Sequence, residues 1–73
     1  MTPRRGDMYQ HVETFTVATF RGWIQNQLSG CWLMVLDHPR FGECRWSPNL
    51  ARPWDPEKHP RDPHTWAEVR RTA

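Results

Sequence analysis

Prolines and tryptophans alternate in one stretch of this chain, and that stretch limits the possible folds more than any other feature. It runs from Trp46 to Trp66 and reads WSPNLARPWDPEKHPRDPHTW. Each proline fixes φ and removes a backbone donor, which excludes a continuous helix and a central strand. Each tryptophan gains free energy when its apolar face is covered, so the stretch is not an inert spacer. We therefore expect it to dock on the chain's own body or on a partner.

The length and charge of the chain limit its class. A chain of 73 residues allows one domain, and at this size only about 60% of the unfolded surface becomes buried. The net charge of +2 is too low for general phosphate binding, but nine of the ten cationic residues are arginine. Arginine makes bidentate contacts with carboxylates and phosphates and stacks on aromatic rings, which favours a binding surface. A GC-rich genome would produce the same bias without any binding role.

The cysteine count and the hydropathy pattern indicate a compartment. Cys31 and Cys44 are the only cysteines, which is too few for a disulfide scaffold and indicates a reducing environment. No apolar run approaches the roughly 20 residues of a membrane span, and no signal-peptide core is visible. We expect a cytoplasmic protein that has no membrane partner and is a monomer when free.

The N-terminal half is predicted to be rich in strands. Residues 1–10 contain Pro3, Gly6 and alternating charges and are predicted to be a flexible N-terminus. Residues 11–47 are predicted to form a β-rich core, in which 12–20 alternates β-branched and aromatic residues as a strand does.

The segment after this strand is ambiguous. Val17, Phe20, Ile24 and Leu28 also follow a helical spacing that would end at Ser29-Gly30. The sequence does not decide whether 22–28 is a short helix or a second strand.

The next segment predicts a β-hairpin. Residues 31–37 form the most hydrophobic run, a Gly-containing connection follows, and 43–47 resumes an extended pattern. A turn centred near Arg40 places Cys44 opposite Leu36. That register does not favour a disulfide between the two cysteines.

The C-terminal part is predicted to contain a proline-rich segment, 48–62, followed by a short helix, 63–71. The two Asp-Pro pairs, at Asp55 and Asp62, are expected to mark turns, and Asp62 also suits an N-cap before Pro63. A capping box from Thr65 to Glu68 is the alternative start of this helix. Such a helix is too short to be stable alone, so Trp66 must find a surface. The predicted fold class is α+β, with a small antiparallel sheet.

Metal binding and catalysis have only weak sequence support. Cys31, His38 and Cys44, with His59 or His64, could supply zinc ligands, but they lack the CxxC spacing of zinc sites. Cys44 lies near His38 and Arg45 in sequence, yet no oxyanion or phosphate-binding motif accompanies it. We therefore predict neither a metal or cofactor site nor an enzyme, and a zinc module is retained only as an alternative.

Arginines and aromatic residues interleave in the second half of the chain, which predicts a binding surface. This pattern also occurs in proteins that bind single-stranded nucleic acid, so a small module of that kind is the alternative function, and a secondary nucleic-acid contact is a further expectation. The eight acidic residues, however, would weaken phosphate binding. Tryptophan and arginine dominate protein–protein hot spots without requiring net charge. Trp32 is expected to lie in the core, and a core position is the alternative to a binding role for Trp23. The predicted partner-binding residues are Arg40, Phe41, Arg45, Trp46, Arg52 and Trp54.

A short chain of this composition, with this basic and aromatic set and no catalytic residues, resembles the small regulators that phages encode against host transcription. The resemblance covers the whole chain and rests on length, composition and the six residues above rather than on a signature motif. It implies a protein that binds bacterial RNA polymerase in the host cytoplasm, displaces sigma factor from promoters and promotes antitermination.

Overall fold

Five short strands and one 3-10 helix form the regular structure of residues 2–63, which is the part of the chain that the computed structural model describes. The strands are β1 (Met8–His11), β2 (Val17–Gln25), β3 (Trp32–His38), β4 (Gly42–Trp46) and β5 (Ala51–Pro53), and the 3-10 helix is Pro48–Leu50. They make one antiparallel sheet with the order β4-β3-β2-β1-β5. The predicted antiparallel sheet is thus confirmed. The predicted helix 63–71 lies outside the described residues except for its first one and stays a prediction.

The β3–β4 hairpin agrees with the sequence prediction, including its register. Leu36 pairs with Cys44, and both cysteines are free. His38 at the end of β3 stabilises the turn, because its Nδ1 accepts the backbone N–H groups of Arg40 at 3.0 Å and Phe41 at 3.1 Å. Gly42 ends the turn with φ of 77°, a left-handed conformation that glycine adopts without steric cost.

The predicted strand 12–20 is correct for 17–20 and wrong for 12–16, which connect two strands through a turn. The carbonyl of His11 accepts the N–H of Phe15, whose φ is 63°, and β2 begins only at Val17. The predicted flexible N-terminus 1–10 is also wrong for its last three residues, which belong to β1. This strand lies between β2 and β5 inside the sheet. Only four residues long and half polar, β1 gives almost no periodic signal.

The ambiguous segment 22–28 divides between a strand and a turn. β2 continues to Gln25, so the strand alternative is correct for its first half, and a turn follows from Asn26. A register shift between Phe20 and Gly22 marks a β-bulge at Arg21. The bulge interrupts the strand alternation, and it lies within the helical spacing of Val17, Phe20, Ile24 and Leu28.

Part of the proline-rich segment belongs to the sheet. Pro53 pairs with Tyr9, and the Trp54 N–H donates to the carbonyl of Met8 at 3.0 Å. β5 is an edge strand, and edge strands tolerate proline because one side needs no donor. The predicted turn at Asp55 is confirmed, since its carbonyl accepts the N–H groups of Lys58 and His59.

One face of the curved sheet carries the core. Its buried apolar members come from four strands, and Trp46 packs against them. They are Tyr9, Ala18, Phe20, Met34, Leu36 and Ala51. The rings of His11 on β1 and Trp46 on β4 meet edge-on at 5.3 Å, although β2 and β3 lie between these two strands. The sheet must therefore curl strongly enough to bring its sides together.

Two buried polar side chains attach the proline-rich segment to this body. Asp62 Oδ2 accepts the Val17 N–H at 2.8 Å and contacts His38 Nε2 at 2.7 Å. Because Nδ1 of His38 already accepts two N–H groups, its proton lies on Nε2 and is donated to Asp62. Gln10 is fully buried and donates from Nε2 to the carbonyl of Pro60 at 2.7 Å. These contacts attach the segment 54–62 to the domain at Pro60 and Asp62, while residues 56–58 remain exposed.

Candidate protein-binding surface

The six predicted binding residues do not form one continuous surface. Arg45 is exposed on the face opposite the core and donates from Nε to Glu43 at 3.2 Å. Arg52 donates from Nε at 3.2 Å and from Nη2 at 2.7 Å to Gln10 Oε1. Trp46 faces the core, and Trp54 Nε1 donates to the Pro60 carbonyl at 3.3 Å. Four of the six thus have structural partners within the domain.

Arg40 and Phe41 are the two predicted residues that lie together on an exposed surface. Phe41 stacks on His38 with ring centroids 4.7 Å apart, and the Arg40 guanidinium lies 5.9 Å from the Phe41 ring. Phe41 remains 52% exposed. This β3–β4 turn is a small cation–aromatic surface at the C-terminal end of β3.

A different exposed surface lies at the opposite end of β3. β1 pairs with β2 only as far as Thr19, and β4 pairs with β3 only from Met34 onward. Residues 22–33 therefore continue as two strands and a turn, with no further strand beside them in the part of the chain that the structure describes, and we name them the hairpin extension. Trp23 and Trp32 lie on its core-side face, with 44% and 55% of their surface exposed. The predicted core position of Trp32 is wrong, and the core alternative for Trp23 is not the one observed, because the sheet that would cover them ends before they are reached.

The tip of the hairpin extension is an ordered turn. Asn26 donates its N–H to the Cys31 carbonyl at 2.8 Å and accepts that of Gly30 at 2.7 Å. The Asn26 side chain accepts the Leu28 N–H at 2.9 Å. Gly30 adopts φ of 75°, which closes the turn without steric cost. These bonds hold Leu28 outward, where it is 99% exposed.

The hairpin extension carries no charge. No charged residue lies between Arg21 and Asp37 in the sequence, although 25% of the chain is charged. Arg21 and Asp37 form an ion pair at the base of the hairpin extension. The hydrogen bond from Arg21 to Asp37 raises the pKa of Arg21. The result is an aromatic and aliphatic projection whose nearest charges neutralise each other.

The sequence carries a signal for this surface, but the same residues also fit a buried strand. Two tryptophans and a leucine in an uncharged run resemble a buried strand, and only the lengths of β1 and β4 expose them. The uncharged polar residues Gln25, Asn26 and Gln27 between the apolar ones indicated a turn rather than a core segment.

The two cysteines differ in their environments. Cys31 is exposed beside the hairpin tip, whereas Cys44 is half-buried. Burial raises the pKa of the Cys44 thiol, and the carboxylates of Asp37, Asp62 and Glu43 raise it further. A raised pKa leaves less thiolate, which is the reactive form.

Alkylation should therefore distinguish the two thiols. With a limiting amount of iodoacetamide at mildly alkaline pH, we expect Cys31 to be modified several-fold faster than Cys44 in the native protein. Peptide mass spectrometry measures both rates, and unfolding in urea provides the control because it should equalise them. Equal rates in the native protein would contradict the burial of Cys44.

Within residues 2–63, no three His, Cys, Asp or Glu side chains lie close enough to hold a metal ion. Both ring nitrogens of His38 are already engaged, by the β3–β4 turn and by Asp62. Across the same part of the chain, no helix is long and apolar enough to cross a membrane.

Comparison with known proteins adds no relative, because no family model, curated protein or solved structure matches this chain.

Proposed function

We propose that this chain is a non-enzymatic regulatory protein that acts by binding another protein through its hairpin extension. The observation that carries the proposal is the exposure of Trp23, Leu28 and Trp32 on an ordered, uncharged projection. Tryptophan is among the residues that contribute most at interfaces, because it brings a large apolar area with few rotatable bonds. Ordering of the tip before binding reduces the entropy lost on association.

The partner that we propose is bacterial RNA polymerase. The support is the resemblance to small phage-encoded regulators, which bind the host enzyme, displace sigma factor and promote antitermination. On this proposal the hairpin extension fills an apolar depression on polymerase and sterically excludes a competing factor. The protein would then act in the host cytoplasm without a cofactor.

The engagement of the arginines favours a protein partner over single-stranded nucleic acid. Arg21 and Arg45 are paired with carboxylates, and Arg52 is held by Gln10. Phosphate binding by these three arginines would have to break these contacts, and the hairpin extension itself offers no cation. Stacking surfaces alone, without a basic groove, bind nucleic acid weakly.

Co-purification with core RNA polymerase tests the proposal. Combining Leu28→Glu with Trp32→Ala should weaken binding by about 30-fold or more, the loss typical of an interface hot spot. Both residues are more than half exposed, so the variant should keep the native circular dichroism spectrum and unfolding midpoint.

Phe41→Ala is the matched control, since Phe41 is equally exposed at the other end of β3. We expect its affinity for polymerase to stay within about threefold of the native value. Strong loss from Phe41→Ala with none from the hairpin variant would assign binding to the Arg40–Phe41 turn instead. Absence of any polymerase binding by the native protein would refute the choice of partner.

A further inference from the structure

The outer edge of β2 in the hairpin extension lacks a strand partner within the described chain. On this side, Phe20 exchanges backbone hydrogen bonds with Gly6 and Asp7, and strand pairing with β1 ends at Thr19. Gly22 to Gln25 continue beyond that point. An unpaired edge of apolar sequence is a template for another strand.

The hydrogen-bond alternation shows which backbone groups face outward. The Asn26 N–H donates to Cys31 across the hairpin, and the pairing with β3 keeps one register from Gly22 to Gln25. In an antiparallel ladder, inward and outward groups alternate along a strand. Ile24 therefore bonds to β3, while the N–H and C=O groups of Trp23 and Gln25 point to the open side.

This edge is complementary to itself, and we infer that two copies of the chain associate through it. In an antiparallel pair about a two-fold axis at Ile24, Trp23 of each copy faces Gln25 of the other. Both pairs can then exchange their main-chain hydrogen bonds, while Ile24 faces Ile24 across the axis. A two-fold contact of this kind closes on itself and gives a dimer rather than a filament.

The absence of charge on this edge favours a second copy as the occupant, and the small area limits the strength of the contact. Each chain carries a net charge of +2, yet no charged residue lies between Arg21 and Asp37, so the contact brings no like charges together. The strand edge is short, which places the interface below the roughly 1,200 Å² of a stable complex. The dimer is therefore weak. At low protein concentration it dissociates into the monomer that the sequence predicts. The exposed faces of Trp23 and Trp32 stay on one side of the joined sheet.

Sedimentation velocity from micromolar to millimolar protein tests this inference on the full native chain. We expect the sedimentation coefficient to rise from that of a monomer to that of a dimer across this range. A monomer at every concentration would overturn the inference. The result does not involve polymerase, so it stands or fails separately from the proposed function.

Charge reversal at the axis tests the location of the contact. Ile24→Lys and Ile24→Glu should each be monomeric alone, because like charges directly opposite are unfavourable. An equimolar mixture of the two variants should form the dimer, which a merely misfolded variant would not do. Dimers of either variant alone, or no dimer in a mixture of folded variants, would overturn the two-fold register.

Amide hydrogen exchange of the native protein provides a measurement that needs no variant. Exchange at the Trp23 and Gln25 N–H groups should slow several-fold from dilute to concentrated protein. The Ile24 N–H is the internal reference, because it is bonded to β3 in the monomer as well. Equal exchange rates at both concentrations, for all three amides, would also overturn the inference.

Discussion

Replacing Asp62 with alanine is expected to lower the free energy of unfolding by about 3–5 kcal/mol, because two buried donors lose a charged acceptor and each unsatisfied donor costs about 1–3 kcal/mol. The side chains of Asp62 and His38 are 5% and 0% exposed. Alanine would leave the Val17 N–H and the His38 Nε2–H without their acceptor, and solvent reaches neither group easily. A chain of 73 residues has a total stability of only about 4–11 kcal/mol, so much of the population would unfold.

Thermal and urea unfolding followed by circular dichroism measure this loss, and the thermal midpoint should fall by at least about 12 °C. Asp55→Ala is the matched control, because Asp55 also precedes a proline and its Oδ1 accepts the exposed Glu57 N–H at 2.9 Å. That contact lies in water, and its loss should cost about 1 kcal/mol or less. Similar losses in both variants would show that Asp62 is not the buried attachment that the structure describes.

The buried contacts of Asp62 could not be predicted from the sequence. Asp62 before Pro63 has the pattern of a helix N-cap, and its position allows that role. Its two bonds to residues 45 and 24 positions earlier in the chain leave no local signature, since nothing near Asp62 in sequence specifies Val17 or His38. Long-range polar contacts of this kind are settled by the fold and not by any pattern of neighbours.

The β3–β4 hairpin was predictable because its signals are local. A short apolar run, a Gly-containing turn and a second extended run occur in order, and turn length then fixes the register that pairs Leu36 with Cys44. β1 and β5 were not predictable in this way. β1 has four residues and β5 has three. β1 is stabilised by pairing with β2 and β5, and β5 by pairing with β1. Their own sequences carry little strand preference.

The exposed aromatic surface of the hairpin extension was not predicted from the sequence, for a related reason. The composition shows that the chain is rich in tryptophan. Whether a given tryptophan is buried, however, depends on which strands lie beside it. Trp23 and Trp32 are exposed because β1 and β4 are shorter than β2 and β3. Trp46, in contrast, is covered by the curl that brings His11 against it. Strand length and sheet curvature are properties of the assembled sheet, so no pattern within one segment reveals them.

Replacing Gln10 with leucine is the second change with a large expected effect, a loss of about 2–3 kcal/mol, because the Phe15 carbonyl and the Arg52 guanidinium lose a partner in a partly buried network and the Pro60 carbonyl loses the shorter of its two hydrogen bonds. Gln10 Nε2 donates to the carbonyls of Phe15 at 3.0 Å and Pro60 at 2.7 Å, and Oε1 accepts the Arg52 guanidinium. One side chain therefore joins the β1–β2 turn, β5 and the proline-rich segment. Leucine has nearly the same volume, so any loss of stability comes from polar groups and not from a cavity.

Gln25→Leu separates this effect from the general consequence of placing leucine in a strand. Gln25 also donates one hydrogen bond to a carbonyl, that of Gly30 at 3.0 Å, but the contact is exposed. Water can replace it, and the expected change in unfolding free energy is within about 0.5 kcal/mol of zero. A small loss for Gln10→Leu as well would mean that the proline-rich segment leaves the sheet readily. Trp54 and Pro60, which the Gln10 network holds against β1, would then be available to a partner, and the binding surface would have to extend beyond the hairpin extension.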